Sequence, residues 1–412
     1  AIREKAEQKV FSFLGRLATL KKKRPKLLLG VGGCVAQQEG KHMLRRMPHL
    51  NFVFGTRAIP RLPNIIKHVL KEKCQVVDID LTEEMSEPGT PKKIRSDGSP
   101  TRFVTIMRGC NNYCAYCVVP HVRGKETSRP SAEILDDIHA LVDSGVKEVT
   151  LLGQNVNSYG KKEGRCSFSE LLTEINKIHG LLRIRFITSH PKDFSDDIIH
   201  TFKNLDKLCP HLHLPVQSGS NRILKRMNRN YTRELYLEKI EKLRALCPQV
   251  AITSDFIVGF PGETEADFNE SVKLIKSVEY DSLFVFKYSD RPNAPATQFS
   301  NKISELKKQN RLKQILHLQA QITEAKNTTL LGSTQLVLVD GHSKMNPTLN
   351  TIQWTGRTPT NKVVNFANDT SGRSGESSLI GRLIRVKIEK TLSHSLRGKQ
   401  IGMGVTKPVT MI

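Results

Sequence analysis

Three cysteines lie close together in one short stretch of the chain. Cys110, Cys114 and Cys117 follow a predicted strand, Phe103 to Met107, and share one loop. Four thiolates would complete a tetrahedral zinc site, whereas three leave one position of a metal or cluster open. On an iron–sulfur cluster, an open position is where a small molecule can bind and accept an electron. Tyr116 precedes the last cysteine and is expected to contact whatever occupies that position.

The spacing by itself leaves another interpretation open. The three thiols could be unrelated buried cysteines, or they could hold zinc in a non-catalytic RNA-binding protein. The chain has eight cysteines, which fits a reducing compartment better than a disulfide framework. Four of them are scattered singly and are interpreted as core or surface thiols: Cys74, Cys166, Cys209 and Cys247.

The residues around the three cysteines indicate a family. They read GCNN at 109–112, CVVP at 117–120, RGKE at 123–126 and SRP at 128–130. A CxxxCxxC motif with an aromatic residue before its last cysteine resembles the signature of radical S-adenosylmethionine (SAM) enzymes. The surrounding segments resemble the methylthiotransferases, and most of all the MiaB-type tRNA enzymes. This resemblance extends over almost the whole chain.

The resemblance implies both cofactors and chemistry. Cys110, Cys114 and Cys117 would bind three irons of a [4Fe–4S] cluster, and the fourth iron would hold SAM. Reductive cleavage of SAM gives a 5′-deoxyadenosyl radical, which abstracts hydrogen in a reaction that no side chain can perform.

The family also carries a second cluster, held by three amino-terminal cysteines. The third of these corresponds to Cys34 in the segment GGCVAQQEG, and the other two would precede Ala1. We therefore expect an amino-terminally truncated chain with one fully liganded cluster. The alternative is that Cys34 is an ordinary small residue that follows a strand.

The pattern after residue 102 predicts an α/β fold. Six predicted strands alternate with helices, and each strand ends in a polar or glycine-rich loop. A parallel barrel, or part of one, gathers such loops at one mouth. The resemblance implies a partial (β/α)6 barrel with SAM across this mouth. Its implied SAM contacts, beside Tyr116, are Gly153, Gln154, Ser189, Gln217, Ser218, Gly259 and Glu263.

The domain limits follow from shifts in composition. Residues 1–81 predict an α/β domain with a parallel sheet, and residues 82–101 form a linker rich in proline, glycine and charge. The resemblance implies a radical SAM core at residues 102–328, and the pattern predicts a small β-barrel over residues 329–395 and a tail over residues 396–412 that frays from Gly402. The segment GRTPTNKVV at 356–364 resembles the TRAM domain, an RNA-binding barrel.

Two aromatic residues of the small barrel leave a choice open. Trp354 and Phe366 could stack on RNA bases or could form the barrel core.

Removal of the chain from Leu331 onward is expected to weaken tRNA binding while SAM cleavage persists.

The overall charge favours a polyanionic partner. The chain of 412 residues has 64 Lys and Arg against 40 Asp and Glu, a formal net charge of +24. RNA suits this excess, and a basic surface that serves solubility is the alternative. A basic amphipathic helix is predicted over residues 302–328, with Lys307, Lys308, Arg311 and Lys313 beside Ile303, Leu306, Leu312, Ile315 and Leu316.

No apolar run approaches 18 residues and no signal-peptide pattern is present, so we expect a cytoplasmic protein without a membrane span.

The resemblance implies methylthiolation at C2 of N6-isopentenyladenosine 37 in the anticodon stem-loop of tRNA. The related enzymes that act on threonylcarbamoyladenosine or on a ribosomal protein are alternatives. The electron donor and the sulfur donor remain unidentified.

Overall fold

A computed structural model describes residues 4–81, 98–161, 164, 166–343, 353–367 and 378–403 of the chain. Most of the predicted linker, 82–97, lies outside these residues. The chain divides into two compact units. The cysteine unit comprises Ala1–Pro91, Arg108–Thr127 and Ser289–Phe299, and the barrel unit comprises Lys92–Met107, Ser128–Tyr288 and Ser300–Ile412.

The cysteine unit contains a small parallel sheet flanked by helices. Its described strands pair in the order β1, β2, β3. Buried side chains of α1, α3 and β2 form its core, including Phe11, Leu14, Met43 and Val53. The elements are α1 (Glu4–Lys23), β1 (Gly30–Gly32), α2 (Cys34–Glu39), α3 (Lys41–Arg46), β2 (Phe52–Phe54), α4 (Leu62–Glu72), β3 (Val76–Asp78) and α5 (Val119–Arg123).

One predicted helix of this unit is divided in two. The apolar pattern from Gln37 to Met47 predicts a continuous helix, but Gly40 has a φ of 50° and separates α2 from α3. A left-handed residue ends a helix because it cannot continue the right-handed hydrogen-bond ladder. The pattern also missed α4 and β3.

The barrel unit begins with strands and helices in alternation. Its elements up to the last long helix are β4 (Thr101–Thr105), α6 (Ser131–Asp143), β7 (Glu148–Leu152), α7 (Phe168–Lys177), β8 (Arg183–Phe186), α8 (Asp196–Asn204), β9 (His211–His213), α9 (Asn221–Arg226), α10 (Arg233–Leu246), β10 (Ala251–Val258), α11 (Glu265–Val278), β11 (Ser282–Lys287) and α12 (Glu305–Thr328). Two short strands, β5 (Met107–Arg108) and β6 (Thr127–Ser128), span the points in the sequence where the chain passes from one unit to the other.

These strands form most of a barrel. In the described residues, β4, β7 and β8 pair in parallel, as do β9, β10 and β11. A parallel bridge between Ile184 and Leu208 connects the two sheets. The sheets pack on their helices through one large core. The helix between β10 and β11 has the predicted capping box, in which Thr264 and Asp267 bond each other's backbone N–H groups.

The carboxyl end of the barrel unit is a closed five-stranded barrel in its described part, with the order β12, β13, β14, β16, β15. The strands are β12 (Thr334–His342), β13 (Gln353–Arg357), β14 (Val363–Ala367), β15 (Leu383–Thr391) and β16 (Leu396–Met403). Trp354 and Phe366 are buried in its core. Of the two interpretations that the sequence leaves open for these residues, the structure supports the core one.

The predicted tail also needs correction. Residues 396–412 are predicted to form a tail outside the small barrel, yet β16 (Leu396–Met403) pairs with β14 and β15 and closes that barrel. Leu396 is fully buried. The sequence pattern missed this strand because Gly398 and Gly402 interrupt its alternation of apolar and polar residues.

The small barrel docks on the amino ends of the large barrel's strands. Arg183 and Arg185 of β8 are buried and donate hydrogen bonds to backbone carbonyls of Leu336, Arg357, Thr358 and Pro359, at 2.7 to 3.0 Å. Glu148, at the start of β7, accepts from Arg185 Nε at 2.9 Å and balances this charge. Asp281, just before β11, pairs with Lys362 at 3.3 Å. The turn that contains the GRTPTNK segment thus closes the amino end of the large barrel.

The predicted amphipathic pattern of α12 is only partly correct. Lys308 and Arg311 are buried, whereas Leu306 and Leu316 are exposed. The buried cations are paired: Lys308 with Glu305 at 2.8 Å, and Arg311 with Glu263 at 2.7 Å. Within the described ranges, no helix combines the length and the apolar character needed to cross a membrane.

Candidate active site

The cysteine loop is held by backbone hydrogen bonds at both ends. Cys110 N–H donates to Gly124 O at 3.3 Å, and Cys117 N–H donates to Cys114 O at 2.9 Å. Ala115 O accepts from Ala296 N–H at 2.8 Å. Cys114 is buried, and the other two thiols are half-buried. The loop therefore presents three cysteines that form no disulfide on a fixed backbone.

Gly109 is required where the chain enters this loop. Its φ is 74°, and a Cβ at this position would lie 2.0 Å from Lys125 O. Any other residue would add both left-handed strain and a collision with backbone. The conformation of Gly109 thus brings the start of the loop against the segment that leaves it.

The donor set fits an iron–sulfur cluster. All three cysteines are free of disulfides, and Val119 N–H lies 3.5 Å from Cys117 Sγ, in a position to donate to a thiolate. Such donors to sulfur tune cluster potentials. In the described part of the chain, no three His, Cys, Asp or Glu side chains converge closely enough to hold a single metal ion. A four-iron cluster does not require that convergence, because each thiolate binds a different iron.

Cys34 lies in the same unit as the cysteine loop. It is the first residue of α2 and packs against Val118, Val122 and Ala294. Val118 and Val122 belong to the segment that directly follows Cys117. Cys34 is a half-buried free thiol. Both the ligand interpretation and the interpretation as a small packing residue remain predictions for this thiol.

The other predicted site residues lie in the barrel unit, at the carboxyl ends of its strands. Gly153 follows β7, Ser189 follows β8, Gln217 and Ser218 follow β9, and Gly259 follows β10. Val156 N–H donates to Thr188 O at 3.1 Å, so the loops after β7 and β8 are in contact. The carboxyl end of parallel strands is where α/β sheets bind ligands.

Two of these loops depart from ordinary backbone conformations. Thr188 and Gln217 have φ values of 73° and 74°, which are costly for residues with a Cβ. Gln217 is held by a hydrogen bond from its N–H to Asp255 O at 2.8 Å and by one from Ile257 N–H to its carbonyl at 3.0 Å. Strain of this kind persists only where the surroundings fix it, and it is frequent in ligand sites.

Glu263 is a positioning residue for the loop after β10. Its Oε2 accepts from Gly259 N–H at 2.7 Å and from Arg311 Nη1 at 2.7 Å. Burial raises the pKa of Glu263 to about 7, although the Gly259 N–H and the Arg311 guanidinium act in the opposite direction. Gly259 has a φ of 70° and lies against the side chain of Lys308. The predicted direct contact of Glu263 with SAM stays a prediction, and its described contacts fix the loop.

The sequence reasoning missed several polar residues between these loops. His190 N–H donates to Asn157 Oδ1 at 3.1 Å, and Asn155 Nδ2 donates to Asp193 at 2.7 Å. The following buried atoms have no hydrogen-bond partner among the described residues: Gln154 Oε1, Asn155 Oδ1, Asn157 Nδ2, Ser189 Oγ and His190 Nε2. Buried polar atoms without partners are costly, so a cluster of them indicates a place for a polar ligand or water.

His190 is neutral in this cluster. Burial, followed by the nearby cations Arg229 and Lys192, holds the pKa of His190 far below its ordinary value. Its Nδ1 accepts from Lys192 N–H at 3.2 Å, so the proton of the neutral ring is on Nε2. The only signal in the sequence was the position of His190 just after a strand, and this signal is too general to identify it.

Comparison with known families matches most of the chain. Residues 104–275 match the Radical SAM superfamily, and residues 328–401 match the TRAM domain. Residues 1–55 match the uncharacterized protein family UPF0004.

Curated relatives match nearly the full chain. A tRNA-2-methylthio-N(6)-dimethylallyladenosine synthase of Desulfosudis oleivorans is 52% identical over 411 residues, which cover 99% of this chain and 88% of that protein. The protein of the same name from Syntrophus aciditrophicus is 48% identical over 406 residues, 97% of this chain and 85% of that protein.

A solved structure shares the fold. The cobalamin-dependent S-adenosylmethionine radical enzyme OxsB, with aqua-cobalamin and S-adenosylmethionine bound, has a TM-score of 0.50 and 14% identity. The alignment covers 76% of this chain and 46% of that one. At this identity the likeness concerns the fold alone.

Proposed function

The chain belongs to the family of tRNA-2-methylthio-N(6)-dimethylallyladenosine synthases, and we propose that it adds a methylthio group to C2 of N6-isopentenyladenosine at tRNA position 37. The family membership confirms the resemblance to MiaB-type methylthiotransferases. The observation that carries the proposal is the loop that brings together Cys110, Cys114 and Cys117 outside any disulfide, in a chain about half identical to these synthases.

The cofactors are a [4Fe–4S] cluster and SAM. Cys110, Cys114 and Cys117 would hold the cluster, which when bound would supply the electron for the reductive cleavage of SAM and so the radical chemistry of the reaction. The chain's own residues bind and orient SAM and the substrate, and they exclude water from the site. Cys34 is the one proposed ligand of the auxiliary cluster within this chain.

The strand-end loops of the barrel unit supply the SAM site. Gly153 and Gly259 lie where a Cβ would collide with the side chains of Met107 and Lys308, and Gln154 and Ser189 offer buried polar atoms that have no partner in the described residues. Gln217 and Ser218 contribute a loop held in one conformation by its hydrogen bonds to β10. Glu263 keeps the Gly259 loop in place. A site that is organised before binding loses little entropy when SAM binds.

A cationic surface on the small barrel supports tRNA as the partner. Lys387 of β15 lies directly opposite Lys399 of β16, and Arg385 and Arg397 are close along the same strands. Arg385 and Lys387 are exposed, and like charges placed opposite each other destabilise a sheet. Such an arrangement is suited to a polyanion, because RNA phosphates neutralise the repulsion. The anticodon stem-loop of tRNA is the partner that this reaction requires.

A cytoplasmic location belongs to the same proposal. None of the eight cysteines forms a disulfide in the described residues, and cysteines stay reduced in reducing compartments. We also propose the sequence-based domain limits, with the small barrel now extended through Met403. The electron and sulfur donors are not identified by any residue of the chain.

Nucleoside analysis in cells tests the function. The wild-type protein, extended at its amino end by the corresponding segment of the Desulfosudis oleivorans synthase to supply the other auxiliary-cluster cysteines, would be expressed in a bacterium that lacks 2-methylthio modification, since the cell supplies electrons, sulfur and prenylated tRNA. We expect 2-methylthio-N6-isopentenyladenosine to appear in its tRNA, and no such product from a variant with Cys110, Cys114 and Cys117 all changed to Ala. A methylthio group found on threonylcarbamoyladenosine instead would transfer the chain to the related class of enzymes. No methylthio product from the wild-type protein would contradict the proposal.

A further inference from the structure

The inner wall of the large barrel exposes an unusual set of side chains. Along β10 burial alternates: Ser254 and Phe256 are buried towards the helices, and Thr253 and Asp255 are half-buried on the opposite face. In a barrel strand this opposite face is the inside. Phe284 of β11 is paired in register with Asp255 and is 50% exposed. A large aromatic ring is therefore open to a ligand inside the barrel.

These inner residues contact one another. His213 of β9 is paired in register with Thr253, and its Nδ1 lies 2.9 Å from Thr253 Oγ1. The ring of His213 packs edge-on against Phe284, with centroids 6.1 Å apart. His213 Nε2 lies 3.6 Å from Asp255 Oδ1, too far for a hydrogen bond. Within the described residues, the Asp255 carboxylate thus accepts no hydrogen bond, although its side chain is only 25% exposed.

The position of this group suits a substrate pocket. Asp255 is three residues before Val258, the last residue of β10, so it lies roughly 10 Å below the strand-end loops that we assign to SAM. The amino end of the same barrel is closed by the small barrel through Arg183 and Arg185. A ligand on this wall therefore lies between the SAM loops and the closed end of the barrel.

We propose that His213, Asp255 and Phe284 form the pocket for the target adenine base, an inference that rests on the proposed function. Phe284 stacks on the base, and Asp255 accepts a hydrogen bond from its N6–H. His213 supports the ring of Phe284 from its edge. This assigns the recognition of the base to three side chains on adjacent strands of one sheet.

The chemistry of the wall favours a base with an amino group, such as adenine, over hypoxanthine. Enzymes that modify a base take it out of its stack, place it against aromatic side chains and read its polar edge by hydrogen bonds. A carboxylate can only accept, so it pairs with the N6–H of adenine, including the one that remains after isopentenylation. It repels the O6 acceptor of hypoxanthine, which is otherwise similar in shape. The exposed face of Phe284 also offers an apolar surface to the isopentenyl chain.

The first test exchanges acceptor and donor on both sides of the contact. Binding would be measured for anticodon stem-loops with adenosine or inosine at the target position. We expect wild-type protein to prefer adenosine by about tenfold or more, because inosine leaves the half-buried Asp255 carboxylate opposed to an acceptor. Asp255→Asn can present a donor to O6, so the preference should fall to about one or reverse. A purely structural role of Asp255 would weaken both stem-loops equally, and that result would overturn the assignment.

The second test removes the stacking surface. Phe284→Ala should weaken binding of the prenylated stem-loop about 5- to 100-fold, the range for loss of one base–aromatic stack. Leu316→Ala, at an exposed apolar residue of α12, is the matched control and should bind like the wild type. Unchanged binding by Phe284→Ala would contradict the proposal. If the wild type itself neither binds nor modifies prenylated tRNA, it is the proposed function that fails, and the two failures are thereby distinguished.

Discussion

Individual residues decide whether the cysteine loop can hold a cluster. The cysteines supply the ligands, but the path of the loop depends on Gly109, whose left-handed backbone lies against Lys125 O. Gly145 offers a matched comparison, since it has a φ of 101° and open space around its missing Cβ. The two glycines share unfavourable backbone angles and differ in the collision that a methyl group would cause.

Gly109→Ala should therefore reduce cluster binding, whereas Gly145→Ala should not. Both variants lose about 1 kcal/mol or more from a strained backbone, but only Gly109→Ala must also move the loop. Iron per chain after anaerobic reconstitution would be measured for each. Equal iron content in both variants would show that the loop does not depend on the close approach at Gly109.

The cysteines could be predicted from sequence and their supporting residues could not. Spacing along one loop is a local property, and it identified Cys110, Cys114 and Cys117. Asn155, Asn157 and His190 become neighbours only when β7 and β8 pair, which no local pattern encodes. Glu263 was noticed, but its partner Arg311 is 48 residues away in sequence. Its positioning role is visible only in the folded chain.

At the scale of elements, the alternation of strands and helices predicted the large barrel well. The residue pattern predicts a strand at Glu148–Leu152 and a helix at Arg233–Leu246, and both have these bounds, because strongly periodic segments between clear turn signals are local features. The docking of the small barrel was not predicted. Arg183 and Arg185 alternate along a strand and would ordinarily suggest an exposed face, yet both are buried against the carbonyls of another domain.

Because of this docking, the two barrels should unfold together. Arg185→Ala leaves Glu148 buried without its closest partner, which typically costs about 3 to 5 kcal/mol. Trp354 is the single tryptophan of the chain and is buried in the small barrel, so its fluorescence reports that barrel alone. We expect Arg185→Ala to lower the midpoint of the Trp354 transition in urea, and the exposed Arg382→Ala to leave it unchanged.

If Arg185→Ala leaves the midpoint of the Trp354 transition unchanged, the two barrels unfold independently.

The contact between the barrels also revises the expectation for a chain cut at Leu331. Without the small barrel, Arg183 and Arg185 would lose four carbonyl partners. SAM cleavage by such a fragment would then decline together with the stability of the large barrel.

At the scale of the whole molecule, charge and fold indicate the same partner. The net charge of +24 predicted RNA from composition alone. The structure adds where part of that charge lies: the GRTPTNK turn serves the contact between the barrels, and the paired strands β15 and β16 carry exposed cations. Composition could not separate these two groups of residues, because burial depends on tertiary contacts rather than on residue type.

The central claim is that this chain performs radical SAM chemistry on prenylated tRNA through its three-cysteine loop. The most direct measurement is 5′-deoxyadenosine formed by the purified, anaerobically reconstituted protein with SAM, dithionite and isopentenylated tRNA. We predict that the wild type and Cys74→Ala, at an exposed cysteine, form it, and that the variant with Ala at positions 110, 114 and 117 forms none. If that triple variant still produced 5′-deoxyadenosine, the account of the active site would be contradicted.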